Sequence, residues 1–553
     1  MIALLLTALV GISPRIHYTL HAETTQLNVV TVLIRIADAP DSVILAAAAH
    51  PEYDDKYWRY IEDMHSNTSM RRLDSVRWVV KTNNGDVAIQ YRVRFPQQPG
   101  ARGSWRPFLS ATGGLVGGPH SFLYLLGFEN APVSVTLQLP DGWKVATGLT
   151  TNDDRAFIAP NADALIDSPI FVGLFSDWRF EVQGVPHRIA YWRAPRPAQL
   201  DTIAFRNNLE RYVRAAVGFW GMMPYKSYTF LYQDEAYGGL EHKNSVTLSP
   251  TYLEETAHEY FHTWNLMHIM PVEYRGVDYR MQPPVAGLWF SEGLTLYYAD
   301  LLLRRAGLET EYPTRIAHIE HMLERYYESP GNTRFSAEEV SRKAYNAGPE
   351  AFGDYDASTH LQGEVIGNAL DFRIRSATNG RRSVDDLMRA MLKTPRFTSR
   401  DVERAAAKVC ACDVSDIFRT AVYNGAPLNF NRYLNMIGLR MTVQRIQAKT
   451  TDSVADSTLA ADNRIYAWQP QANAPLRLRI WYPDGVWARA GLHTGDEIVT
   501  FNGKAVSSWP AFRAIVGGMK IGDTARVVVN RKGVQSETTV RMTGYERPVV
   551  HVD

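Results

Sequence analysis

Between Val87 and Phe95 every second residue is bulky and apolar (Val87, Ile89, Tyr91, Val93, Phe95), with small or polar residues between them. A period of two suits an extended strand with one buried face. Val133, Val135, Leu137 and Leu139 repeat the alternation and stop at Pro140-Asp141-Gly142, and Asn84-Gly85 is a hairpin turn signal just ahead of the first run. From Arg15 to about Asp167 the pattern is mostly of this kind, which predicts a β-sandwich-like N-terminal domain over residues 15–180. The Pro- and Arg-containing stretch Arg193 to Gln199 precedes a change to helical periodicity that dominates to about Tyr433. From Gly438 strands return, among them Ala525 to Val529. The expected architecture is multidomain α+β: a β-rich domain (15–180), a mostly α domain (181–433) and a third unit (434–546).

At 553 residues, 45% hydrophobic and 21% charged, the chain is long enough for two or three domains, each burying its own core. The formal charge is +1, so no field favours nucleic acid or anionic lipid, and no nucleic-acid partner is expected. A disulfide between the only cysteines, Cys410 and Cys412, would be strained across one residue, and no cysteine zinc site is available. Met1 to Ser13 is an uncharged apolar run of signal-peptide length, too short to span a bilayer. Residues 1–14 are therefore expected to direct export to the periplasm or outside the cell; without a basic start they could instead be a strand of a cytoplasmic protein. No later run suggests stable membrane insertion.

The chemistry gathers at His258-Glu259-Tyr260-Phe261-His262. On a helix, residues four apart share a face, so His258 and His262 can point two imidazoles at one ion, and Glu259 can reach a water held there. Ser249-Pro250 offers a cap and a first-turn proline, and Thr251 to Glu254 fits a capping box. Leu253, Ala257, Phe261 and Trp264 supply a core stripe beside the histidines. Two structural histidines on an amphipathic helix are the competing reading, so a third ligand is required. Glu292, in Trp289-Phe290-Ser291-Glu292-Gly293, opens an apolar helical run that ends with Arg304, Arg305 and Gly307. Two histidines, one carboxylate and an open fourth position describe a catalytic zinc site with one Zn2+ per chain.

The segment His258 to Asn265, the Trp289–Gly293 stretch and Gly238-Gly239-Leu240-Glu241-His242 resemble the glycyl aminopeptidase family of gluzincin metallopeptidases. Asp167-Ser168-Pro169, Leu370 to Arg375 and Ser383 to Met388 extend the resemblance over nearly the whole chain after Arg15. It implies a β N-terminal domain, a thermolysin-like catalytic domain and a C-terminal PDZ domain. It also implies that Glu241 holds the free α-amino group of a substrate. Paired glycines at Gly238 and Gly239 would let backbone approach a peptide, and a carboxylate would satisfy a buried ammonium. Where the family shows Tyr-x-Lys-Gly, this chain has His360-Leu361-Gln362-Gly363, so His360 takes the place of the oxyanion donor.

Gly491-Leu492-His493-Thr494-Gly495-Asp496-Glu497-Ile498 with Phe501-Asn502-Gly503 looks like a PDZ core, and Gly438-Leu439 lies where a carboxylate-binding loop is expected. Such a module either binds a peptide C-terminus or packs on the catalytic domain. The expected function is a zinc aminopeptidase acting on peptides with a free N-terminus and a small first residue, glycine or alanine. The alternatives are an endopeptidase on the same fold and a non-catalytic peptide-binding PDZ protein on a peptidase scaffold.

Overall fold

The computed structural model describes residues 14–48, 57–82, 85–96, 102–194, 200–250, 252–274, 280, 283–345, 348–450, 458–469 and 474–553. The apolar start expected to be a signal segment, Asn84 of the expected hairpin turn, 195–199 of the expected linker and Thr251 of the expected capping box lie outside them.

In the N-terminal region the alternating pattern is realised. Strand Val87–Arg94 buries Val87, Ile89, Tyr91 and Val93 and pairs antiparallel with Val29–Ala37 inside a seven-stranded sheet. Val133–Gln138 lies in the same sheet, parallel to Arg15–Ala22. Two four-stranded sheets complete this β-rich region. One apolar core joins them, with the Tyr18 and Tyr91 hydroxyls donating to the carbonyls of Leu123 and Ser121.

A five-stranded sheet follows, including Ser176–Val182, Val185–Trp192, Tyr228–Gln233 and Ser245–Leu248, with Gly239–Glu241 at one edge. Strand Tyr228–Gln233 is buried at every position. Helical periodicity does begin after residue 199, with the helix Thr202–Trp220, but a strand buried on both faces shows a continuous apolar run rather than alternation, so its period does not mark it within that stretch. Of the helices, Leu253–Phe261, Leu288–Arg305, Arg315–Glu328 and Thr359–Ala377 are the ones that matter for the site. Among the described residues no helix is long and apolar enough to cross a membrane.

Two compact units result. The first is residues Met1–His268 with Gly276–Pro283 and Tyr298–Leu308, and the second is Ile269–Arg275, Pro284–Tyr297 and Glu309–Asp553. In the second, Cys410 and Cys412 form a disulfide, contrary to the strain expected across one residue. Ala411 caps the preceding helix in the left-handed conformation, and the turn sets the two Cα atoms 5.1 Å apart, within the ordinary disulfide span of roughly 4.4–6.8 Å.

The PDZ region is a five-stranded sheet running Tyr466–Trp468, Arg477–Arg479, Glu497–Phe501, Thr524–Arg531 and Val534–Arg541. Leu492, Ile498 and Phe501 of the recognised pattern are in its core. Asp496 is buried and accepts from Arg531 and from the His493 amide, closing the turn that the glycines permit. A separate two-stranded ladder pairs Met441–Gln447 with Glu546–Val552.

Candidate metal centre and catalytic site

In the first unit the histidine helix runs Leu253–Phe261, and His262 is its C-cap, still in right-handed helical conformation. The four-residue spacing therefore survives, and the two rings converge: Nε2 of His262 lies 3.0 Å from Nε2 of His258. Nδ1 of His262 donates to the Asn265 carbonyl at 3.0 Å, which leaves the Nε2 lone pair directed at its partner. Two zinc–nitrogen bonds of about 2.05 Å at a tetrahedral angle require nitrogens roughly 3.3 Å apart, so this pair fits a divalent ion. Phe261 and Trp264 hold the helix from behind, Trp264 stacked on Trp220 at 5.9 Å and Phe261 on Tyr298 at 5.0 Å.

The start of that helix differs from expectation. Tyr252 is the N-cap and supplies no side-chain cap. Ser249, the expected cap, donates instead to Glu255 Oε2 at 2.6 Å. Burial pushes the Glu255 carboxyl up, and the serine and the Gly238 amide oppose that shift, so the hydroxyl serves a buried acid rather than the helix end.

Glu259 points toward the edge strand. Ligand atoms of Glu241, Glu259 and His262 lie within 4.8 Å of one another, and Glu241 is buried. Its strand Gly239–Glu241 pairs antiparallel with Ser245–Leu248 on one side. A Cβ on Gly239 would stand 2.3 Å from Cγ of Glu259, so the Glu259 side chain lies where only a glycine leaves room. Gly238 has φ +72°, and a Cβ there would meet the Trp105 ring at 2.8 Å. Both glycines therefore make room for neighbours within the fold. Beyond the strand, His242 bonds Asp167 at 3.2 Å, and Asp167 also accepts from the Lys243 amide. This gives the Asp-Ser-Pro segment its use: it fixes the turn behind Glu241.

In the second unit Glu292 is buried on Leu288–Arg305. Its Oε2 is 3.0 Å from Nε2 of His360, and its Oε1 accepts from the Tyr345 hydroxyl at 3.2 Å. Tyr345 was not foreseen; no spacing or motif links it to Glu292, and only the fold brings them together. His360 is the second residue of helix Thr359–Ala377, capped by Ser358. The helices of Glu292 and His360 cross at glycines: a Cβ on Gly363 would sit 1.8 Å from the Trp289 carbonyl oxygen and 2.8 Å from Cα of Gly293.

The expected carboxylate-binding loop is not where sequence put it. Gly438 and Leu439 lead into Met441–Gln447, whose partner among the described residues is Glu546–Val552 and not the PDZ sheet. A peptide adds a strand at a sheet edge; the PDZ sheet has edge strands Val534–Arg541 and Tyr466–Trp468, the latter beside helix Trp509–Gly517. There Tyr466 stacks on Trp481 at 3.7 Å and on Trp509 at 5.9 Å.

Comparison with known proteins agrees with this layout. Residues 17–174 match the peptidase M61 N-terminal domain, 251–366 the M61 glycyl aminopeptidase domain and 483–542 a PDZ domain. No curated protein matches the chain. Among solved structures, an aminopeptidase N family protein from Idiomarina loihiensis is 22% identical, with 97% of this chain and 98% of that one covered and a TM-score of 0.73. A mutant M1 zinc metallopeptidase from Deinococcus radiodurans is 14% identical over 75% of this chain and 95% of its own, TM-score 0.50. The same protein bound to a Tyr-Ser-Ala substrate is 16% identical over 75% and 94%, TM-score 0.50. At these identities the likeness is one of fold; the chain is a metallopeptidase whose successive regions match the M61 N-terminal, M61 glycyl aminopeptidase and PDZ domains in that order.

Proposed function

We propose that the chain is a zinc aminopeptidase removing small N-terminal residues, glycine or alanine, from peptides, with one ion held by His258, His262 and Glu292. When bound, the ion supplies Lewis acidity, making water a nucleophile near neutral pH and polarising the scissile carbonyl. The observation that carries the reading is the convergence of the two Nε2 atoms at 3.0 Å, with the His262 tautomer fixed by Asn265 and Glu259 beside them.

The other steps fall to side chains. Glu259, kept against the edge strand by the missing Cβ of Gly239, takes a proton from the attacking water and returns it to the leaving amine. The substrate lies along Gly239–Glu241, and the Glu241 carboxylate pairs with its free ammonium, which selects chain ends. His360, together with Tyr345, donates to the charge developing on the carbonyl oxygen. The protein acts after export, and its PDZ edge strand Tyr466–Trp468 takes up a peptide C-terminus.

The test is release of arylamine from glycyl and alanyl arylamides. Glu259→Gln should lower kcat by about a hundredfold to ten-thousandfold with metal still bound; normal turnover would end the mechanism. Glu241→Ala should weaken free-amine substrates and spare amine-blocked peptides. Equal loss on both would favour an endopeptidase.

A further inference from the structure

Residues 348–358 run directly into the helix that carries His360, and their carboxylates face the PDZ domain. Asp354 Oδ2 lies 2.5 Å from Nδ1 of His493, and its Oδ1 accepts from the Thr494 amide at 2.7 Å. Asp356 Oδ1 accepts from Nη2 of Arg479 at 3.1 Å. Glu350 reaches Arg477 at 3.4 Å, and Gly495, at φ +95°, lets the PDZ turn approach it, since a Cβ there would stand 3.2 Å from Glu350 Oε1.

The opposite side of the segment is fastened to the helical region. Phe335 packs against Phe352 at 5.1 Å and Tyr355 at 5.8 Å, and the Ser358 amide donates to Asn332 Oδ1. Gly331 leaves room for the Asp356 carbonyl, which a Cβ would meet at 2.1 Å. Ser358 then caps the helix by accepting from the Leu361 amide, and His360 follows two residues later. Between the Arg479 contact at Asp356 and the His360–Glu292 contact lie three residues, Ala357, Ser358 and Thr359, of which Ser358 is the helix cap. Burial pushes the Asp356 carboxyl up and Arg479 down, and each opposes the other's shift. Removing either partner would strand a charge in a poorly solvated place.

Taking His360 and Glu292 as parts of the peptidase site, we infer that the PDZ domain is a positioning element of that site. Arg479 and His493, by holding Asp356 and Asp354, set the first turn of the helix and so the placement of His360 against Glu292. Asp354, Asp356, Arg479 and His493 are positioning residues with no contact to the reacting atoms. The PDZ module thus contributes to turnover of small substrates too short to reach its own peptide groove.

The experiment uses full-length protein and alanyl arylamide, with hydrogen exchange of residues 359–363 read without substrate. Arg479→Gln and Asp356→Asn should each lower kcat by about tenfold, with KM within about twofold and metal content unchanged. Exchange at 359–363 should quicken in both. The reversed pair, Asp356→Arg with Arg479→Asp, should recover most of the lost kcat and slow the exchange again. If Arg479→Gln does not fold, His493→Gln, at a more exposed contact, carries the same comparison. Single variants with wild-type kcat and exchange would overturn the inference, as would a kcat loss with exchange unchanged. Glu259→Gln, run alongside, tests the peptidase reading separately: if it kept full turnover, the exchange arm would still decide whether the PDZ contacts set the helix.

Discussion

Two buried histidines that are not among the expected metal ligands set how the protein should respond to acid. His120 is buried with neither ring nitrogen hydrogen-bonded among the described residues, and burial pushes it down to about 3 from an ordinary 6.5. His187 bonds the Val185 carbonyl and the Tyr225 hydroxyl and is pushed down to about 4, again mainly by burial. Both stay neutral in the native state while the unfolded chain takes up protons below about pH 6.5, so stability falls with pH from there down to about 3 to 4, by roughly 1.4 kcal/mol per unit for each ring. His120→Leu removes one titration without breaking a hydrogen bond. Its urea-unfolding free energy should drop roughly 1.3 kcal/mol less than the wild type's between about pH 7 and about pH 5.5. An unchanged slope would mean that His120 is not the buried neutral ring described. At this scale the sequence was most readable where spacing carries chemistry: His258, Glu259 and His262 needed only helical geometry to be singled out. Tyr345 was invisible because its partner Glu292 lies in another element and nothing local marks it.

Among elements, the close crossing of Leu288–Arg305 with Thr359–Ala377 depends on Gly293 and Gly363. Gly363→Ala would drive a methyl into the Trp289 carbonyl and separate the helices that carry Glu292 and His360. The expected cost is about 1–3 kcal/mol of stability from overpacking. Read as a urea midpoint, it should come with a fall in kcat; a variant as stable and as active as wild type would show that the crossing can relax freely. Helices and amphipathic strands were legible from their periods, whereas Tyr228–Gln233 was not, because burial on both faces erases alternation. The Ser249 cap failed for a related reason: a hydroxyl that could serve a helix end also suits a buried carboxylate, and only the packed structure shows which claims it. Gly438-Leu439 had the right composition for a PDZ loop but feeds a strand outside that sheet, a matter of long-range pairing that short motifs do not encode.

For the molecule as a whole, ion binding is linked to folding. A metal that binds only the native chain, at about 100 to 1,000 times its Kd, stabilises it by roughly 3–4 kcal/mol. Chelation should therefore lower the melting temperature along with activity, and added zinc should restore both; a melting curve indifferent to chelator would argue that the histidine pair holds no ion. The domain order was readable from the change of hydrophobic period along the chain. The clamp between the PDZ region and residues 348–358 was not, because Glu350, Asp354 and Asp356 look like an ordinary solvated loop until Arg477, His493 and Arg479 are seen opposite them. One further consequence comes from the ribbon of Met441–Gln447 and Glu546–Val552. The chain enters and leaves the PDZ region through paired neighbours, and Glu320 and Glu324 of helix Arg315–Glu328 accept from the Val552 and Val550 amides of that ribbon. A load applied to the module is then shared by two strands running side by side and by the helix that accepts from their amides, so it does not fall on a single tether.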